Sequence, residues 1–317
     1  MANLKAIRGR IRSVKSTQKI TRAMQMVAAA RVRKAQARTL ATRPFTSKVV
    51  QMLQQVVHET NPIDLLDLPL LEKRPNPKRV ALIVISSDRG LCGSYNTNVF
   101  KAAIKRIREL KAEGLQVDLI SIGLKAAGFF KRVKDENLTK IKSYSNLSVV
   151  PNYETAKLIA DYACILYTHG KPKNNEVSED DVKVEDLETR VDSVEIIATQ
   201  FINLGKQETQ LIKFLPVELP KGVDNFPLSA ETIFEPSLLE LMEEELLPKY
   251  VENVIYQALL DASASELAAR MGAMSNATSK AGELIQDLTL VYNKARQGDI
   301  TQQLLEIVGG AEALQGK

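Results

Sequence analysis

No aspartate or glutamate occurs in the first 58 residues, although thirteen lysines and arginines do, from Lys5 to Lys48. The other 259 residues hold 30 basic against 38 acidic side chains, a net −8, so the overall +5 conceals a basic start and an acidic remainder. A solvated helix face usually intersperses carboxylates at i,i+4. Their absence points to an electropositive stripe that meets something acidic: nucleic acid, an anionic membrane surface or acidic protein loops. The two cysteines, Cys92 and Cys164, are far apart and have no histidine cluster beside them, which excludes a disulfide framework and a zinc site and makes a reducing compartment the default. The two histidines, His58 and His169, form no ligand spacing. The longest apolar run, Val80–Ile85, is far too short for a bilayer span, and Met1–Arg8 lacks the apolar core of a signal peptide. No Ser-His-Asp, Cys-His or convergent carboxylate set can be assembled, so neither a catalytic centre nor a cofactor is expected.

What is present is a seam. Met271, Met274, Thr278, Ala281, Ile285, Leu288, Tyr292 and Ala295 alternate spacings of three and four, the pattern of a helix committed to a partner helix. Pro248 suits the first turn of a helix, and nothing from Lys249 to Val308 forbids continuation, which predicts a rod of roughly 90 Å. The partner is expected at the other end of the chain. From Asn3 to about Pro44, apolar residues recur at Leu4, Ile7, Ile11 and Val14, then at Ile20, Met24, Val27 and Ala28. Alanines 28–30 and Ala258, Ala262, Ala264, Ala268 and Ala269 would allow close approach of the axes. The expectation is an antiparallel coiled coil of the first and last segments, residues 1–62 and 236–317, around a central domain over 63–235.

The centre reads as a small Rossmann-like α/β domain. Val80–Ile85 is apolar and β-branched, as in a strand buried on both faces of a parallel sheet. A helix over Thr97–Glu113 and a strand over Val117–Ile122 follow. Short helices are expected at Lys125–Lys131 and Tyr153–Tyr167, and a hairpin at Val194–Ile202 and Thr209–Val217. Residues 171–192 carry eight carboxylates and no aromatic anchor, which reads as an exposed acidic insertion. Gly90 and Gly93, after the first strand, raise the prospect of a phosphate cradle. The spacing is not G-x-G-x-x-G, no G-K-[ST] follows, and Asp88 would oppose bound phosphate, so a tight βα turn is favoured.

Arg10–Ala30 (RIRSVKSTQKITRAMQMVAAA), Asp88–Asn96 (DRGLCGSYN), Ser265–Met274 (SELAARMGAM) and Val291–Gln297 (VYNKARQ), with Ile300-Thr301 and Glu306–Ala313 (EIVGGAEA) after it, resemble the gamma subunit family of rotary F-type ATP synthases. The likeness covers nearly the whole chain, in order. It implies a non-catalytic rotor shaft whose terminal helices run through the hexamer of alpha and beta subunits. The α/β domain would lie against the epsilon subunit and the membrane ring of c subunits, with nucleotide chemistry confined to beta. It further implies a peripheral membrane protein, on the cytoplasmic face of a bacterial plasma membrane or its matrix or stromal equivalent. By position in the family's motifs, Met24, Arg270, Arg296, Gln297, Thr301 and Gln303 fall among coupling contacts, and Phe234 and Glu235 in the segment approaching the rotor ring. Gln303 stands where the family usually has glutamate, and Ser279-Lys280 where Asp-Asn is frequent. The paired cysteines of the redox-regulated chloroplast members are missing. The rival readings are a nucleotide-binding α/β enzyme centred on Gly90 and Gly93, which requires saturable nucleotide binding, and a basic coiled-coil nucleic-acid binder, which requires retardation of DNA or RNA with a steep salt slope.

Overall fold

The computed structural model describes residues 4–60, 68–146, 150–170, 190–218 and 237–315. Two long helices, α1 (Leu4–Glu59) and α6 (Leu247–Gln315), bracket a five-stranded sheet. The chain divides into two compact units, Met1–Ala30 with Arg270–Lys317, and Arg31–Ala269.

In the first of these units, α1 and α6 run antiparallel. All eight seam positions read on α6, from Met271 to Ala295, are buried or half-buried, while most residues between them are exposed. On α1 the phase departs from expectation. Ile20 and Val27 are 57% and 50% exposed, and the seam instead takes Gln18 and Thr21 between Val14 and Ala28. A heptad seam needs positions spaced three and four from Val14, and Ile20 lies six away, so geometry outweighs hydrophobicity at that turn. Ala28 is buried, Ala29 half-buried and Ala30 exposed.

The other unit is an α/β domain. Its strands are β1 (Arg79–Ile85), β2 (Gln116–Ile122), β3 (Leu138–Tyr144), β4 (Ser193–Phe201) and β5 (Gln207–Leu215). They lie in the order β3-β2-β1-β4-β5, and β5 alone is antiparallel to its neighbour. Strand β1 is central, and Val80–Ile85 are all buried, as continuous apolar sequence requires when both faces are covered. One face is covered by α2 (Tyr95–Ala112) and α3 (Leu124–Phe130), through Val99, Ala103, Ile107, Leu110 and Phe130. The other carries α4 (Tyr153–Thr168), the later part of α1 and the early part of α6, with Leu53, Val56, Ile159, Leu166, Val251 and Ile255 in one core. A smaller cluster of Val32, Ala35, Phe201, Ala264, Leu267 and Ala268 joins the two long helices to the end of β4. Ala258, Ala262, Ala264 and Ala268 are all at most 5% exposed, and Ala269 is half-buried.

Strand β3 went unpredicted, because Leu138-Thr-Lys-Ile-Lys-Ser-Tyr144 is polar at the sheet edge, with only Leu138 and Ile141 buried. Pro44 lies inside α1 without ending it. Pro248 stands in the first turn of α6, but helical backbone begins earlier, at α5 (Leu238–Leu241), whose Ser237 cap accepts from Glu240 N–H. Met242–Leu246 then form a single π turn closed by Leu247 N–H to Met242 C=O. Such a widened turn offers the proline ring space that a regular helix denies it. Asp192, read from sequence as the end of the acidic insertion, is fixed: its carboxylate accepts from the N–H groups of Lys78 (2.7 Å) and Arg79 (2.9 Å) and pairs with Arg74. The rest of that stretch, 171–189, lies outside the described residues.

Candidate subunit-contact site

The basic helix keeps its charge outward. Every lysine and arginine of α1 whose side chain is described is exposed. Among the described residues none of them, Lys5 aside, makes an ion pair with a carboxylate. Arg8 lies over the Tyr292 ring at 5.7 Å. Unneutralised cations along one helix create a field that attracts acidic surfaces at a distance.

The far part of α6 is bare. From Arg296 to Ala311 only Asp299 is even half-buried, and Leu304, Leu305, Ile307 and Val308 are 53–68% exposed. Arg296, Gln297, Thr301 and Gln303 all lie here and are exposed. Arg296 and Gln303 fall on one helical row and Gln297 and Thr301 on the adjacent one. The Thr301 hydroxyl donates to Gln297 C=O at 2.9 Å. Arg270, half-buried, is about 39 Å back along the same helix at 1.5 Å per residue. Met24 is half-buried, whereas Met26 is 59% exposed. Phe234 and Glu235 lie outside the described residues. Sequence reasoning missed the outward apolar residues Ile20, Met26, Val27, Leu284, Leu290 and Val291. Had Gln18 and Thr21 been accepted as seam positions, the heptad phase would have turned Ile20 and Val27 outward.

The glycine loop is a tight turn with its polar groups committed. Asp88 Oδ1 accepts from Leu124 N–H at 2.8 Å, at the start of α3. Ser86 Oγ accepts from Ala126 N–H at 2.8 Å. Asn96 donates to Ser87 Oγ at 2.8 Å and accepts from Ser87 N–H. Leu91 and Gly93 both adopt positive φ, 65° and 58°. Two N–H donors at the start of α3 are thus taken by oxygens of this loop and of the end of β1.

Cys92 is buried, whereas Cys164 is half-buried and lines a cavity of about 860 Å³ with Asp161, His169 and Glu252. Burial, then the nearby carboxylates of Asp161 and Glu252, push the Cys164 thiol from its ordinary 9.0 to about 12. Because the folded state holds this proton more tightly, the stability it contributes is complete below the ordinary thiol value and is lost as pH rises toward 12. Native protein treated with iodoacetamide at pH 8 should therefore be alkylated at Cys164 far more slowly than a free thiol, and at Cys92 only in denaturant, as read by mass spectrometry. Rapid native labelling of Cys164 would contradict the assignment. Among the described residues no group of three or more His, Cys, Asp or Glu is placed to hold a metal ion, and no helix is long and apolar enough to cross a membrane.

A two-helix seam with its basic residues turned outward, and a helical end left bare, describe a protein suited to contacts with other proteins. The ATP synthase family model matches residues 3–314. The ATP synthase gamma chain of Nostoc punctiforme is 42% identical over 340 residues, spanning 99% of this chain and 100% of its own. That of Synechocystis sp. is 43% identical over 342 residues, with the same coverage. The chain belongs to this family, the ATP synthase gamma chains. A solved structure of the central stalk and c-ring of the Tetrahymena thermophila mitochondrial ATP synthase is similar at 26% identity and TM-score 0.54, covering 81% of this chain and 99% of that one. The rotor of the Euglena gracilis mitochondrial enzyme, 17% identical with TM-score 0.58 over 94% of this chain and 98% of its own, shares the fold.

Proposed function

We propose that this chain is the central rotor of a membrane ATP synthase, carrying torque between a ring of c subunits in the membrane and a catalytic hexamer of alpha and beta subunits, with the epsilon subunit beside it. One observation supports this most directly: the exposed apolar residues Leu304, Leu305, Ile307 and Val308 near the end of α6, which water disfavours and a surrounding protein sleeve would cover. Long-range attraction between the cations of α1 and acidic loops suits a part that must turn, because such attraction is remade at each angle without deep locking. Arg296, Gln297, Thr301 and Gln303 act as the coupling contacts near that end, with Met24 and Arg270 on other levels of the shaft. Phe234 and Glu235 approach the ring. In this reading residues 1–62 and 236–317 form the shaft, and 63–235 the foot. The protein is peripheral, on the membrane face that bears the catalytic sector, cytoplasmic in a bacterium.

Reconstitution with alpha and beta subunits tests the proposal. A bead fixed to the α/β domain should rotate one way when ATP is supplied, and a hexamer that excludes this chain would refute it. Met24→Lys adds an ammonium to an already cationic helix facing acidic surroundings. It should lower protons pumped per ATP in vesicles severalfold while hydrolysis persists, and unchanged pumping would remove Met24 from the contact set.

A further inference from the structure

We infer that Gln18, Thr21 and Thr278 are positioning residues that fix the axial register of α1 against α6. Together they close a reciprocal clasp. The Thr278 and Thr21 hydroxyl oxygens lie 2.8 Å apart and share one hydrogen bond across the seam, each with a second acceptor on its own helix, Met274 C=O at 2.8 Å and Gln18 C=O at 3.1 Å, and Gln18 Nε2 donates across the seam to Thr278 C=O at 3.4 Å. Thr21 is 9% exposed, and Gln18 and Thr278 are half-buried. Gly282 borders the site: a Cβ there would lie 3.1 Å from Gln18 Nε2, so the amide would have to give by a few tenths of an ångström.

Within Met1–Ala30 and Arg270–Lys317 the aliphatic layers of the seam discriminate only weakly between registers. On either side of the clasp stand Ile7, Ile11, Val14 and Ala28 on α1, and Met274, Ala281, Ile285 and Leu288 on α6. An aliphatic layer accepts another aliphatic layer one heptad away with little change in buried area. Slippage of α6 by seven residues would place Thr278 against Val14 or Ala28, and would bring Met271 or Ile285 to Thr21. Either way, hydroxyl and amide groups would lose their partners inside the seam, which selects against the shift. The shift matters because one heptad moves the helices by roughly 10 Å. That would displace Arg296, Gln297 and Thr301 from their level relative to every contact made by α1. This functional consequence rests on the rotor reading; the register itself does not.

The experiment uses cysteine pairs in the full-length chain. Thr21 faces Thr278, so one heptad along the antiparallel seam Val14 faces Ile285. V14C/I285C reports the native register, and V14C/Y292C a slip of seven. With the clasp intact, the first pair should oxidise roughly tenfold or more faster than the second. In Q18L/T21V/T278V the ratio should fall to about threefold or less while helical content is kept, since aliphatic residues do not discriminate between layers. Thr21→Ser with Thr278→Ser retains both hydroxyls and should retain the ratio. Gly282→Ala, which displaces the Gln18 amide without removing any polar group, should lower it partway, and it serves as the readout should the aliphatic variant fail to fold. An unchanged ratio in Q18L/T21V/T278V or in Gly282→Ala overturns the inference. Loss of discrimination together with normal proton pumping in the assembled enzyme would uphold the register assignment and count against the rotor reading.

Discussion

Replacing Gly123 by alanine should destabilise the α/β domain more than any other single methyl addition considered. Gly123 precedes α3 with φ 95° and ψ 142°, a conformation that side chains rarely adopt. Its N–H donates to Tyr144 C=O at 2.8 Å, tying β2 to the end of β3. A Cβ at this position would lie 2.5 Å from the backbone oxygen of Ser86 and 2.9 Å from its carbonyl carbon. Backbone atoms at the end of the central strand cannot swing aside as a long side chain can. Strain in the dihedrals costs about 1–3 kcal/mol, and forced overpacking costs about as much again. Against a total stability of about 5–15 kcal/mol, a loss of roughly 2–6 kcal/mol is enough to depopulate the folded domain at moderate temperature. Gly128→Ala within α3, where a Cβ meets nothing within 4 Å, is the matched control, and it should be neutral or stabilising by up to about 1 kcal/mol. Urea titrations followed by circular dichroism compare the two. Equal midpoints for Gly123→Ala and wild type would show that the Ser86 contact is not rigid.

Arg106→Met should be the second largest loss. Arg106 on α2 grips Glu195 on β4 through both arms, Nε to Oε2 and Nη2 to Oε1, each at 2.7 Å. Glu195 is 6% exposed, and its hydrogen bonds are the main cause raising the affinity of the guanidinium for its proton. Removing the guanidinium leaves a carboxylate in the sheet with no cation to offset its lost hydration. Breaking a buried pair in this way costs about 3–5 kcal/mol. Because the Arg106 side chain is itself 21% exposed, the lower end, about 3 kcal/mol, is expected here. Arg106→Met with Glu195→Leu should recover most of it, since replacing both partners by apolar groups is close to neutral. A double-mutant cycle by thermal melting measures the difference. No recovery in the double variant would mean that Arg106 matters through its aliphatic stem rather than through the pair.

Much of the fold was legible because it rests on periodicity. The seam from Met271 to Ala295 repeats a spacing that a paired helix satisfies, while Val80–Ile85 and the β4–β5 hairpin were marked by short, β-branched apolar runs. Strand β3 was not legible: an edge strand with two buried residues has no pattern to distinguish it from a loop. The π turn at Met242–Leu246 was equally silent, for no residue type announces a widened turn, and Pro248 had suggested only a helix start. The α1 seam was misread where hydrophobicity and phase disagree. Ile20 and Val27 attracted the assignment, and the structure gave the inner positions to Gln18 and Thr21.

Residue order alone determined that both ends of this chain are helical, that the first carries unopposed positive charge, and that the middle strand is wrapped on two sides, because spacing and charge are properties of a chain read one neighbour at a time. Tertiary structure alone decided which polar groups meet across the seam, and that Asp88 and Ser86 accept from the start of α3 while Asn96 accepts from Ser87 N–H. A hydrogen bond between residues 18 and 278 depends on where two distant segments come to rest, and no local spacing encodes that meeting.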